Sequence, residues 1–178
     1  MTTLAHHAIQ SVPHEVNRLT VSVDASFDDL RARYEAAVPR WDTRRFEELK
    51  AAGADWNAVV SDTSALATHD FLIYWSFDAT AVMGLAGHRQ RGVEYLMGNH
   101  TIAERMYRHD PAIALYAPLR TAIYVDAEDT TRFAIDQPST RFASFGTPAI
   151  TEVGIELDRK VAALLESLGA PVRTALTR

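Results

Sequence analysis

The run GVEYLMGNHTIAERMYR at residues 92–108 decides the fold class. Val93, Tyr95 and Met97 fall on one side of an alternating stretch, the period of a β-strand with one buried face. From Thr101 the pattern changes. Thr101 and Glu104 form a T-x-x-E capping box, which predicts a helix running to about residue 108. Strand and helix therefore follow one another within a single short segment, the mark of a chain that mixes the two.

Upstream, Leu19, Val21 and Val23 alternate with polar neighbours and predict a strand over 18–24. Ser26 then offers a cap oxygen to a helix carrying Phe27, Leu30, Tyr34 and Val38, which Pro39 stops. Residues 71–77 are apolar on both faces, as expected of a central strand. Residues 40–70 hold two helix-like pieces broken by Gly53 and read as a helical insertion covering one end of the core. A loop rich in small residues, with Gly84, Gly87 and His88, is expected before residue 92.

Downstream, 119–126 and 130–136 predict a hairpin. The last helix begins with Thr147 as cap and Pro148 in its first position, and Gly169 and Pro171 end it. Ile150, Val153, Leu157, Val161, Leu164 and Leu168 form one continuous apolar stripe along it. Five candidate strands alternating with helices give a two-layer α/β (α+β) sandwich with helices packed on one face of the sheet. Residues 1–16 read as a flexible lead-in and 17–178 as a single domain.

Composition narrows the function classes. Of 178 residues, 47% are apolar and 23% charged, ordinary for a globular domain able to bury a core without staples. A net charge of -5 argues against a nucleic-acid binder. The chain has no cysteine, which excludes disulfides, thiolate nucleophiles and Cys-ligated iron. The amino-terminal stretch does not resemble a signal peptide and no apolar run reaches membrane-spanning length, so the expectation is a cytoplasmic protein with neither membrane nor nucleic-acid partners.

The segments Gly98-Asn99-His100-Thr101-Ile102-Ala103, Asp110-Pro111-Ala112-Ile113-Ala114-Leu115 and Pro118-Leu119-Arg120 come in an order that resembles a bacterial family. Tyr124-Val125, Asp136-Gln137-Pro138 and Phe145-Gly146 continue the series. The family is the domain of unknown function numbered 302, and the resemblance spans roughly 92–168. It implies a small two-layer domain with a mixed sheet, often a homodimer, and it implies no reaction. Where the family usually has Asn-Pro at the helix start, this chain has Asn99-His100.

That departure makes His100 the first candidate site residue. At a helix amino end the macrodipole disfavours imidazolium, and neutral imidazole is the form that ligates a metal or haem iron or acts as a base. The bland alternative is a partly exposed side chain near a cap. Glu104, four residues on, would face the same way as a second metal ligand. His109 ends the same helix, where capping competes with a ligand role. His88 lies beside Arg89 and Arg91, cations suited to a carboxylate, a phosphate or haem propionates, or simply to a solvated turn. Arg120 and Tyr124 share one strand face and suit an anionic ligand with a proton relay, and Asp136 is a candidate base. Met83, Met97 and Met106 read as core filling.

Three function classes follow. The first is a small-molecule binder, with haem b as one cofactor: His100, His88 and His109 supply axial candidates and Trp56, Phe71, Tyr74, Trp75, Tyr95 and Tyr107 supply walls. The second is a cofactor-free enzyme on a small polar or anionic substrate, using His100, Arg120, Tyr124 and Asp136, which requires those groups to converge. The third is a non-catalytic homodimeric interaction protein with a dry core and no pocket.

Overall fold

In a computed structural model, residues 9–170 are described. Strand β1 (Arg18–Ser22) leads to helices α1 (Phe27–Ala37), α2 (Thr43–Ala51) and α3 (Trp56–Leu66). Strand β2 (Leu72–Asp78), helix α4 (Thr80–Leu85), strand β3 (Gly92–Gly98) and helix α5 (His100–Tyr107) follow. A 3-10 turn (Pro111–Leu115) precedes β4 (Leu119–Val125) and β5 (Thr131–Asp136), and α6 (Pro138–Phe142) and α7 (Pro148–Ser167) close the order. Residues 9–16 carry no regular structure; Pro171 and residues 1–8 lie outside the described residues.

The five strands form one sheet in the order β1-β5-β4-β3-β2, and every neighbouring pair is antiparallel. The mixed sheet implied by the family resemblance is therefore corrected to an antiparallel one in an α+β fold. Strand–helix alternation suggests parallel crossovers, but the α4 and α5 connections each join antiparallel neighbours, while β1 and β2, which run the same way, stand at opposite edges of the sheet. The one parallel pairing is an isolated bridge between Arg40 and Ile73. A second correction concerns β2. It is an edge strand rather than a central one, and its Trp75 and Phe77 are 45% and 40% exposed. Their rings stack 6.0 Å apart on the free edge.

One face of the sheet carries the core. Val93, Tyr95, Met97, Ile123, Phe133 and Ile135 are all buried against Leu30 and Tyr34 of α1 and the α7 stripe from Ile150 to Leu168. Burying each such aliphatic or aromatic side chain is worth about 1.5–3 kcal/mol relative to exposure, so the alternation read from sequence fixes the strand faces. The opposite face carries Glu94, Arg120 and Tyr124 and lacks that packing.

Local corrections are instructive. The cap of α5 is Asn99, whose side chain accepts from the amides of Thr101 and Ile102, while Glu104 pairs with Arg108 instead of closing a box. The expected loop before β3 contains α4, with Met83 45% exposed rather than in the core; Met97 and Met106 are core residues. Inside α7, Asp158 is 3% exposed. Its carboxylate accepts from the Gln137 amide at 2.7 Å and from the Ser139 amide and hydroxyl at 2.9 and 2.6 Å, tying α6 to α7.

Candidate functional site

The end of β3 and the start of α5 build the site. Asn99 is held twice: its Oδ1 accepts from the first turn of α5 and its Nδ2 donates to the Asp70 carbonyl at 2.9 Å. This fixes His100 as the first residue of α5, with its ring directed at Tyr74 and Thr63. Tyr74 gets there because the β2–β3 register slips between Ile73 and Trp75, a bulge that re-aims one side chain.

Every proton in this cluster has an assignable place. The His100 amide donates to the Tyr74 oxygen at 3.1 Å, and the Tyr74 hydroxyl lies 2.7 Å from His100 Nδ1, to which it donates once Nε2 carries the ring proton. Thr63 donates to the Val59 carbonyl at 2.8 Å and accepts from His100 Nε2 at 2.8 Å. The imidazole is thus the Nε2–H tautomer with both nitrogens engaged. Trp41 packs beside the pair, its ring 5.2 Å from that of Tyr74 and 6.3 Å from that of His100.

Burial lowers the His100 pKa from its ordinary 6.5, opposed by the nearby Asp62 carboxylate. Burial pushes the Tyr74 hydroxyl up to about 12. Both groups are therefore neutral near pH 7, and with both imidazole nitrogens held by Tyr74 and Thr63 they form a hydrogen-bonding wall.

That wall bounds a cavity of about 320 Å³. Tyr74 and His100 stand at its polar side. Ile102, Ala103 and Met106 of α5, Ile113 and Ala114 of the 3-10 turn, Pro118 and Leu119 of the next strand's approach, and Phe142 and Leu157 behind supply apolar walls. Tyr107, 53% exposed, also lines it. No Lys, Arg, Asp or Glu lines it. At Gly98 the backbone passes close to its neighbours: a Cβ would lie 3.3 Å from the Pro118 Cβ and 3.5 Å from the Tyr74 ring.

The other expected site residues do not line this cavity. Arg120 and Asp136 line a second depression of about 420 Å³ with Leu96, Leu115, Tyr116 and Arg141. There Arg120 pairs with Glu94 at 2.8 Å, and Arg141 pairs with Asp136 while lying over the Tyr116 ring at 5.0 Å. Tyr124 lines a third depression with His88 and Arg91. Arg91 itself is engaged by Asp28 and stacked on Phe27. His88 and Arg89 are exposed, and His109 is exposed just beyond α5. The structure brings Arg120 and Asp136 together, but it joins neither to His100 nor to Tyr124.

Of the aromatic walls expected from sequence, Tyr74 and Tyr107 line the cavity, Phe71 and Tyr95 are core, and Trp56 and Trp75 are nearly half exposed. Glu104 is occupied by Arg108, and among the described residues no three His, Asp or Glu side chains cluster as a metal site would need. The sequence reading missed Thr63 and the Tyr74–His100 pairing. A tyrosine inside an apolar strand was the available signal, since a buried phenol needs a partner. Among the described residues no helix is long and apolar enough to cross a membrane.

The comparisons agree on the family level. The model of the family described as domain of unknown function DUF302 matches residues 50–168, so the likeness begins well before the 92–168 stretch that carries the motifs. A crystal structure of an uncharacterized conserved DUF302 protein from Bacillus stearothermophilus superposes with a TM-score of 0.62 at 18% identity, covering 85% of this chain and 97% of that one. At that identity the likeness speaks to the fold. No curated protein matches the chain.

Proposed function

The chain belongs to the DUF302 family, and from that premise we propose that it is a binding protein for a small molecule with an apolar body, held in the cavity between α5, the 3-10 turn and α7. The observation that carries this reading is the cavity itself: about 320 Å³, open to an exposed tyrosine, walled by aliphatic and aromatic groups and without a charged lining residue. Ligand pockets of about 300–1,000 Å³ with apolar walls and a few fixed polar groups are the usual form of such sites.

Binding is favoured over acid–base catalysis because Tyr74 occupies His100 Nδ1 and Thr63 occupies Nε2. Haem b is the weaker occupant. Both His100 ring nitrogens already have protein partners, and no cation lines the cavity to meet a propionate.

The test is fluorescence titration with the neutral apolar probe N-phenyl-1-naphthylamine. Saturable one-to-one binding, lost in Ala103→Phe and in Ala114→Tyr while both variants keep the parent's circular dichroism, supports the reading. No binding, or equal binding by the folded variants, ends it.

Self-association is a second reading, favoured by the stacked Trp75 and Phe77 on the free β2 edge. An unpaired edge accepts a second copy by antiparallel pairing about a two-fold axis. Sedimentation velocity showing a dimer that Trp75→Lys converts to monomer supports it, and a monomer at every concentration removes it.

A further inference from the structure

We propose that the cavity's occupant is a free aliphatic monocarboxylic acid, its chain in the cavity and its carboxylate outside on Arg120. The inference rests on the binding reading above and names the ligand class for the same site.

The cavity interior offers no seat for an ionised head. Its lining has no cation, the ring nitrogens of His100 are both engaged, and the Asn99 side chain is used by the α5 cap and the Asp70 carbonyl. A charge buried there would be strongly disfavoured. The neighbouring depression is different in kind. It shares Ala114, Pro118 and Leu119 with the cavity, so the two adjoin along those residues, and its own walls add Arg120 and Arg141.

The two arginines are not equivalent. Arg141 is committed to Asp136 and to the Tyr116 face. The Arg120 side chain is 74% exposed, and Glu94 is its ion-pair partner. Exposed ion pairs contribute little, so a ligand carboxylate can take the place of Glu94 at small cost. Leu115, 77% exposed, lines the Arg120 depression beside the shared Ala114 and Pro118, so apolar surface continues from the cavity's rim toward this guanidinium. The molecule that fits is apolar for most of its length and carries one negative charge at its end.

Displacement of the naphthylamine probe by decanoate and by 1-decanol tests this, since the two share a chain and differ in the head. Decanoate is expected to bind about two- to fivefold more tightly at low salt, an advantage erased in Arg120→Gln and reduced by added salt. Glu94→Gln is expected to strengthen decanoate binding and leave 1-decanol unchanged, an improvement that mere structural damage would not give. Equal affinities for the two ligands, or a decanoate preference that survives Arg120→Gln, would overturn the head-group assignment while leaving the cavity reading intact. Failure of the probe itself to bind would overturn both.

Discussion

The Tyr74 hydroxyl donates to His100 Nδ1 at 2.7 Å while accepting from the His100 amide at 3.1 Å, so one phenol satisfies both a helix-terminal amide and a buried ring nitrogen. Tyr74→Phe removes both bonds without removing the ring that packs on Trp41. The expected cost is about 1–2 kcal/mol, because the amide and the imidazole lose a partner in a half-buried place. Urea denaturation of the two proteins measures it, and an unchanged midpoint would mean that water replaces the phenol freely.

The same imidazole sets a pH dependence. Burial lowers the folded-state pKa of His100 below its ordinary 6.5, so between the two values the unfolded chain binds the extra proton. Stability then rises with pH in that window. His100 therefore favours the fold fully above about pH 6.5, and this contribution is lost as pH falls through 6.5 toward the depressed value. Denaturation midpoints at pH 7.5 and 5.5 should differ less in His100→Gln than in the parent. An equal drop in both would place the acid sensitivity elsewhere.

At Gly154 two effects of opposite sign compete. Alanine is preferred over glycine in a helix interior by about 1 kcal/mol. Here its Cβ would stand 3.1 Å from both the Phe142 Cβ and the Ser139 Cα. One of those atoms is backbone, so the contact between α6 and α7 has to open, and overpacking of that kind costs about 1–3 kcal/mol. Gly154→Ala is expected to lower the thermal midpoint, and a rise would show that the contact yields.

Asp158 is the buried group whose loss should be felt most. Removing its carboxylate in Asp158→Ala leaves the Ser139 amide and the Gln137 side chain without an acceptor, at about 2–4 kcal/mol. Asp158→Asn keeps one acceptor and should cost less. Differential scanning calorimetry of the pair checks both the size and the order, and equal losses would deny the carboxylate its role as acceptor for several donors.

These residues mark what the sequence makes legible. Strand positions were readable because Val93, Tyr95 and Met97, and likewise Phe133 and Ile135, alternate against one core. The α7 stripe was readable for the same reason. Pairing direction was not, since it depends on which distant strands meet and no local period records that. Residues 71–77 read as central because they are apolar on both faces, yet the strand lies at an edge with Trp75 and Phe77 exposed. His100 stood out as a departure from the family pattern, but its partners Tyr74 and Thr63 come from a bulge and from another helix. Asp158 was hidden beside an apolar stripe, where a lone carboxylate reads as the start of the polar face.

Diffraction from crystals pressurised with xenon tests the central claim most directly, because an apolar-walled cavity takes up the gas. The account predicts a xenon peak between Met106, Ile113 and Phe142 that disappears in Ala103→Phe. A chain of ordered waters at that place, with no xenon uptake, would contradict it.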